Sequence, residues 1–418
     1  MIRRFGTFAL LLGTLPALAQ EHWVATWAAS PQQPRVGGPA PAGPRAGALP
    51  RAPLGPPPPS SFNNQTIRMI VRTSIGGRRL RVELSNAFGK EALSVGAAHV
   101  ALRAKESAIA ADSDRALTFN GKPSVSIPPG ALILSDPVDL EVAPLADLAV
   151  SVYLPGETGP LTMHGTGLHT TYISKAGDFS AAPALTETTT SQSWYFLSGV
   201  EVLAPADASA LVAFGDSITD GATSTVDSDS SWPSALARRL AANPATAHIA
   251  VVNQGISGNR LLRDGAGVSA LARFDRDVLA QPGVQWVTLM EGINDIGVSV
   301  RTPAEAVTAD EVIGALRQLI DRAHAHGIKV MGCTLTPYEG AAYYSDAGEV
   351  MREAVNQWIR TGGAFDTVVD FDAVVRDPAN PKQIRTNFNI RDHLHPNDAG
   401  YQAMAEAIDL SWFGGKSR

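Results

Sequence analysis

The chain has 418 residues, 44% of them hydrophobic and 18% charged, an ordinary globular composition with room for two domains and sizeable cores. Its formal charge of -6 comes with no basic cluster able to compensate a phosphate backbone, which excludes nucleic acid as the partner. A single cysteine, Cys333, excludes an internal disulfide framework and any multi-cysteine metal site; it sits in the apolar run from Ile328 to Leu335 and reads as a small core residue.

In chain order, Arg3 and Arg4 precede the apolar run Phe8 to Leu12, and Ala17-Leu18-Ala19 offers the small-x-small site at which a secretory signal peptide is cut. Gly13, Thr14 and Pro16 interrupt the run before it reaches the ~20 apolar residues of a membrane anchor. Residues 1–19 are therefore expected to be a signal peptide, and no cysteine follows the cut to take a lipid. Loss of the two arginines takes the formal charge from -6 to -8. The mature protein is expected to be exported, periplasmic or extracellular, with no stable membrane insertion.

Residues 20–60 read as an N-terminal segment: a short strand at Trp23 to Ala28, cut off from the rest by residues 31–60, which hold eleven prolines and five glycines. That composition cannot bury a core and reads as a linker or a long disordered loop.

From 61 to 205 the pattern is one of short β-type runs, Ile67 to Thr73, Leu80 to Leu84, Ala131 to Leu134, Leu148 to Leu154, Thr170 to Ser174 and Trp194 to Val202. Turn residues such as Gly76-Gly77 and Pro128-Pro129-Gly130 punctuate them. Many short strands without an amphipathic helix predict an antiparallel β-sandwich domain. His164 and His169 flank a Gly-Thr-Gly loop and, with no third ligand near, read as surface or turn histidines rather than a metal site.

From 206 to 418 the rhythm is strand, loop, helix. Apolar strands fall at Leu211 to Phe214, Ile249 to Val252, Trp286 to Met290, Ile328 to Leu335 and Val368 to Phe371. Ser231 is a candidate N-cap with Trp232, Leu236 and Leu240 on one face; Val312, Leu316, Leu319 and Ala323 mark a second helix ended by Gly327; Val350, Ala354 and Trp358 mark a third. Such alternation predicts a parallel sheet covered on both faces, whose reactive groups collect beyond the carboxyl ends of its strands.

The first strand end delivers Gly215-Asp216-Ser217, with Ser217 the candidate nucleophile. The second delivers a glycine-containing turn at 253–258, and the third Glu291-Gly292-Ile293-Asn294-Asp295. The N–H groups of Ser217 and Gly258 and the side-chain amide of Asn294 could converge on one developing oxyanion. The base is sought in Asp392-His393-Leu394-His395-Pro396-Asn397. An aspartate three residues before a histidine can accept from its Nδ1–H and leave Nε2 free for the serine proton, which favours His395 over His393 and makes Asp392 the orienting acid. Asp227-Ser228-Asp229 lacks the glycine and distal glutamate of a calcium loop and reads as a solvated loop, so no metal and no cofactor are expected.

Gly-Asp-Ser at 215–217, the glycine at 258, Gly-x-Asn-Asp at 292–295 and Asp-x-x-His at 392–395 resemble the four blocks of the SGNH hydrolases, or GDSL esterases, over roughly residues 207–412. Ile218 stands where the name motif has leucine. The resemblance implies a flavodoxin-like three-layer fold, the catalytic set Ser217, Asp392 and His395, and structural roles for Asp216 and Asp295. Beside a β-sandwich, and by analogy with similar enzymes, it points to a serine ester hydrolase removing short acyl groups, acetyl first, from carbohydrate through an acyl-enzyme on Ser217. The alternatives are a lipase or arylesterase acting on small-molecule esters, an acyl transferase, and a non-catalytic glycan-binding protein.

Overall fold

The structure is a computed structural model that describes residues 21–34 and 59–414. The expected signal peptide and most of the Pro-rich stretch lie outside the described residues.

The first half of the chain is β-rich. One antiparallel sheet runs in the order Trp23–Ala28, Leu197–Leu203, Gly77–Ser85, Val138–Val142, with Leu132–Leu134 also paired to Gly77–Ser85. A larger one orders Thr189–Ser191, Thr171–Ala176, Gln65–Arg72, Asp147–Leu154, Ala97–Lys105 and Ala108–Ile109. Alternation does the sorting: in Gly77–Ser85, Leu80, Val82 and Leu84 are buried while Arg79, Arg81 and Glu83 are not. Leu80, Val82 and Leu84 join Val71, Val150 and Val152 of the other sheet in one apolar cluster.

One expectation is corrected here. Trp23–Ala28 is not cut off: Trp23 pairs with Leu203 and Ala28 with Gly199, so the strand belongs to the β-rich region. The prolines separate it from its partner in sequence and not in space.

The second half is built on a five-stranded parallel sheet. Its strands are β1 (Ser209–Gly215), β2 (Ile249–Gly255), β3 (Val284–Met290), β4 (Lys329–Cys333) and β5 (Thr367–Val369), in the spatial order β2-β1-β3-β4-β5. This is the doubly wound order of flavodoxin-like folds. The helices are α1 (Ser217–Asp220), α2 (Trp232–Ala241), α3 (Ala270–Phe274), α4 (Ile293–Arg301), α5 (Ala309–Ala325), α6 (Asp346–Thr361), α7 (Phe371–Val375) and α8 (Asp398–Glu406). Strand β1 is buried throughout and its period of two feeds both layers. Leu211 and Ala213 pack with Leu236 of α2 and Met404 of α8, whereas Val212 and Phe214 pack with Phe274 of α3, Leu319 of α5 and Ile359 of α6.

Local signals explain the helix ends. Ser231 Oγ accepts from Ser234 N–H at the start of α2. Thr308 and Glu311 close a capping box on α5, and Gly327, at φ +72°, turns the chain just beyond it. Two expectations fail. Of the apolar positions that mark α6, Val350 and Ala354 lie outside, Val350 being 71% exposed, and only Trp358 packs on the core. The buried face carries Glu349, Arg352, Val355, Asn356 and Ile359, because Arg352 is neutralised inside by Glu349 and Asp372. Phe371 opens α7 instead of ending β5, with Asp370 as its cap.

The β-rich region seats on the edge strand β2. Ala25 N–H donates to Pro282 O at 3.0 Å, and Val251 N–H of β2 donates to Ser74 Oγ at 2.7 Å. His164 and His169, expected at the surface, are 3% and 7% exposed in this junction. His169 Nε2 lies 2.9 Å from Asp229 Oδ1, and Arg72 Nη1 donates to Asp229 Oδ2 at 2.5 Å. The expected solvated loop at 227–229 is therefore part of the docking surface.

Candidate active site

Three neighbouring strands, β2, β1 and β3, bring the ends of three separate segments to one edge of the sheet. Beyond β1, Asp216 caps α1 by accepting from Ile218 N–H, and Ser217 is the first helical residue. Beyond β2, Asn259 N–H donates to Ile256 O at 2.9 Å and closes a turn in which Gly258 takes φ +79°, a conformation that favours glycine. Beyond β3, Gly292 at φ +122° bends the chain into α4, which carries Asn294.

The late segment reaches the same edge. His395 Nε2 lies 2.9 Å from Ser217 Oγ, and His395 Nδ1 lies 2.6 Å from Asp392 Oδ2. Asp392 Oδ1 also accepts from the N–H groups of Leu394 and His395, both at 2.9 Å, so the carboxylate sits inside its own turn. Burial opposes its ionisation, but these bonds and the imidazole hold its pKa below the ordinary carboxylate value. A carboxylate accepting at Nδ1 fixes the tautomer with Nδ1–H and leaves Nε2 to accept from the serine hydroxyl. The loop after α1 clasps this segment: Thr223 Oγ1 donates to Pro396 O at 3.0 Å, Tyr401 OH to Ala222 O at 2.7 Å, and Thr225 N–H to Asp398 Oδ1 at 2.9 Å. Asn397 is the cap of α8, its side chain accepting from Gly400 N–H. His393 turns elsewhere, its ring packed on Gly340.

Asn294 Nδ2 donates to Asn259 O at 2.8 Å, and Tyr343 OH donates to Asn294 Oδ1 at 3.3 Å. The two bonds set which way the amide faces and leave one N–H of Nδ2 for a ligand. Among the described residues, the N–H groups of Ser217 and Gly258 have no hydrogen-bond partner. Asp295 accepts from the N–H groups of Leu261 and Leu262 at 2.7 and 3.0 Å, bracing the loop that follows Gly258. Asp216 is fully buried, and burial raises its carboxyl to about 7 against the opposing pull of Ile218 N–H and His395.

One group that holds the site is absent from the residues singled out in the sequence. Arg273, buried beneath the strand ends, donates from Nη2 to Gly215 O at 2.9 Å and Glu291 Oε1 at 3.1 Å, from Nη1 to Gln254 O at 2.7 Å, and from Nε to Asn259 Oδ1 at 2.8 Å. One guanidinium thus ties together the segments that deliver Ser217, Gly258 and Asn294. The sequence signal was a charge at the position between Ala270 and Phe274 on an apolar helix face. Periodicity alone does not tell such an arginine from an exposed one.

Among the described residues, no group of three or more histidine, cysteine, aspartate or glutamate side chains could hold a metal ion, and no helix is long and apolar enough to cross a membrane.

The profile of the GDSL-like lipase/acylhydrolase family matches residues 211–408. This stretch is a GDSL domain. It makes the chain a carboxylic ester hydrolase, and small-molecule esters are the substrates its family implies. Among solved structures, the GDSL domain aligns with a lipolytic protein of the G-D-S-L family from Desulfitobacterium hafniense DCB-2, at 23% identity over 48% of this chain and 97% of that one, with a TM-score of 0.37. It also aligns with a catalytic mutant of an acetylxylan esterase from Geobacillus stearothermophilus, at 25% identity over 48% and 93% with a TM-score of 0.38. A GDSL-like lipase from Bacteroides thetaiotaomicron gives 20% identity over 47% and 84% with a TM-score of 0.35. No curated protein matches the chain.

Proposed function

We propose that the GDSL domain works as a serine esterase through an acyl-enzyme on Ser217, releasing short acyl groups, acetyl first, from carbohydrate. The observation that carries the reading is the linear set Ser217 Oγ, His395 and Asp392, with contacts of 2.9 and 2.6 Å. Ser217 Oγ attacks the ester carbonyl while its proton passes to His395 Nε2. The charge that develops on the carbonyl oxygen is met by the N–H groups of Ser217 and Gly258 and the free N–H of Asn294. His395 then gives its proton to the departing alcohol, and water repeats the sequence against the acyl-enzyme, leaving acid and free serine.

The short acyl group is supported by how little apolar surface lies beside Asn294, where the partly buried Tyr343, Tyr344 and Leu394 pack on a buried cluster of Ile293, Tyr338 and Ala341. Tyrosine faces and edges suit a sugar ring better than a long alkyl chain, which needs a continuous aliphatic wall. The β-rich region, two sheets over one core, is read as a β-sandwich that carries the carbohydrate end of the substrate. Export is proposed on the arginine pair, the apolar run and the Ala17-Leu18-Ala19 site, and the amino-terminal sequence of the processed protein tests it.

Ser217→Ala is expected to abolish turnover of p-nitrophenyl acetate; a variant with native turnover overturns the nucleophile. A series of p-nitrophenyl esters set against acetylated oligosaccharides tests the substrate. Activity that rises with acyl length selects the lipase or arylesterase reading instead.

A further inference from the structure

A chain of contacts runs from the β-rich region to the turn that presents Gly258. His164, buried in the junction, places Nδ1 2.9 Å from Ser30 O and Nε2 2.9 Å from Asp220 Oδ1. Asp220 is the last residue of α1, the helix that Ser217 opens. Its other oxygen accepts from Ser257 N–H at 2.7 Å and Ser257 Oγ–H at 2.5 Å. Ser257 is the residue before Gly258, so the carboxylate anchors the Ile256–Ser257 peptide and the Ser257 side chain at the start of the turn that carries the Gly258 N–H.

The chemistry of the partners makes this link directional. Ser30 O can only accept, and Asp220 as a carboxylate accepts at both oxygens, so the two contacts are both made when both ring nitrogens of His164 donate. The imidazole lies between a carbonyl and a carboxyl group. Burial lowers its pKa, yet the Asp220 charge and hydrogen bond outweigh burial and raise it. Ser30 adds a second tie, since its Oγ donates to Gln254 Oε1 and accepts from Arg273 Nη1, the arginine under the strand ends.

We infer that His164 is a positioning residue of the esterase: through Asp220 it holds Ser257, and with it the turn that carries the Gly258 N–H, for oxyanion binding, which makes the β-rich region a working part of the catalytic site. The inference rests on the reading of Ser217 as nucleophile and Gly258 as oxyanion donor. It assigns the β-rich region a role separate from substrate capture.

The test compares two replacements in the full-length chain. His164→Gln places an amide N–H near the position of Nε2 and keeps a donor for Asp220; His164→Asn places one near Nδ1 and keeps a donor for Ser30 alone. With p-nitrophenyl acetate, His164→Asn is expected to lower kcat about 10-fold or more with KM within about twofold, and His164→Gln to recover most of that loss. Equal losses in the two variants, or native kcat in His164→Asn, overturn the inference. Should neither variant fold, Ser257→Ala, which lies outside the junction, removes one donor to Asp220. It is expected to lower kcat at unchanged KM, and native kcat there is again fatal. Ser217→Ala, run alongside, separates the two failures: turnover that survives it sinks the esterase mechanism, whereas turnover lost there but native in His164→Asn sinks the positioning role alone.

Discussion

His395 Nε2 and Ser217 Oγ stand 2.9 Å apart although 178 residues separate them in the chain. The approach is built by the loop after α1, whose Ala222, Thr223 and Thr225 bond to Tyr401, Pro396 and Asp398. Within that clasp the orientation of the ring is left to Asp392. Asp392→Asn keeps the size of the side chain but can present an amide N–H to Nδ1, which selects the tautomer with its proton on Nε2, facing the serine. We expect kcat for p-nitrophenyl acetate to fall about 10³- to 10⁴-fold with KM nearly unchanged. A loss under about tenfold would show that the clasp alone orients His395.

Asn294 gives a second prediction. Its amide is held from both ends, by Asn259 O and by Tyr343 OH, so its remaining N–H points in a set direction. Asn294→Ala removes one oxyanion donor and is expected to lower kcat about 10²-fold or more. Tyr343→Phe removes the hydroxyl that tells the amide oxygen from its nitrogen, and a smaller drop in kcat is expected. If Tyr343→Phe raises KM and leaves kcat alone, the tyrosine contacts substrate and does not orient the amide.

The parts of this arrangement that are local in sequence could be read from it. A strand ending in glycine followed by a hydroxyl, and an aspartate three residues before a histidine, are short patterns with a direct mechanical meaning, and the structure places those atoms together. What could not be read depends on distant partners. His164 and His169 look like turn residues because Asp220 and Asp229, which bury and bond them, come 56 and 60 residues later. Trp23–Ala28 looks isolated because the strand it pairs with begins at Leu197. On α6 the apolar positions Val350 and Ala354 point outward, and an arginine lies inside. Periodicity weighs each side chain by its own polarity and ignores the carboxylates that neutralise it.

Arg273 shows the same effect with a larger consequence. It is 1% exposed and faces Glu291 and Asp277, both equally buried, with contacts of 3.1 and 3.0 Å. Burial and the neighbouring Asp216 push the Glu291 carboxyl well above the ordinary range, and Arg273 opposes them. Arg273→Ala leaves the buried Glu291 without its cation, while Asp277 keeps Arg276, and takes one donor from each of the Gly215 and Gln254 carbonyls; it should destabilise the protein by about 3–5 kcal/mol in denaturant unfolding. Arg273→Lys restores the charge but not the fork of donors, so recovery should be partial. Full recovery by lysine would show that charge alone is what the site needs.

The junction between the two halves should weaken in acid, and Asp229 sets where. Burial would raise its carboxyl, but His169 and Arg72, both from the β-rich region, hold it down to about 2. A folded-state pKa below the unfolded value of about 3.9 means that the carboxylate stabilises the fold above that value and loses this contribution as pH falls toward 2. The difference corresponds to about 2–3 kcal/mol at neutral pH. Asp229→Asn should therefore be less stable than the parent by about that amount near pH 6, and the gap should close between about pH 4 and pH 2. Unfolding midpoints of the two proteins across that range decide the matter. A gap that stays constant with pH would mean that Asp229 docks the halves by shape and hydrogen bonding, with no contribution from its charge.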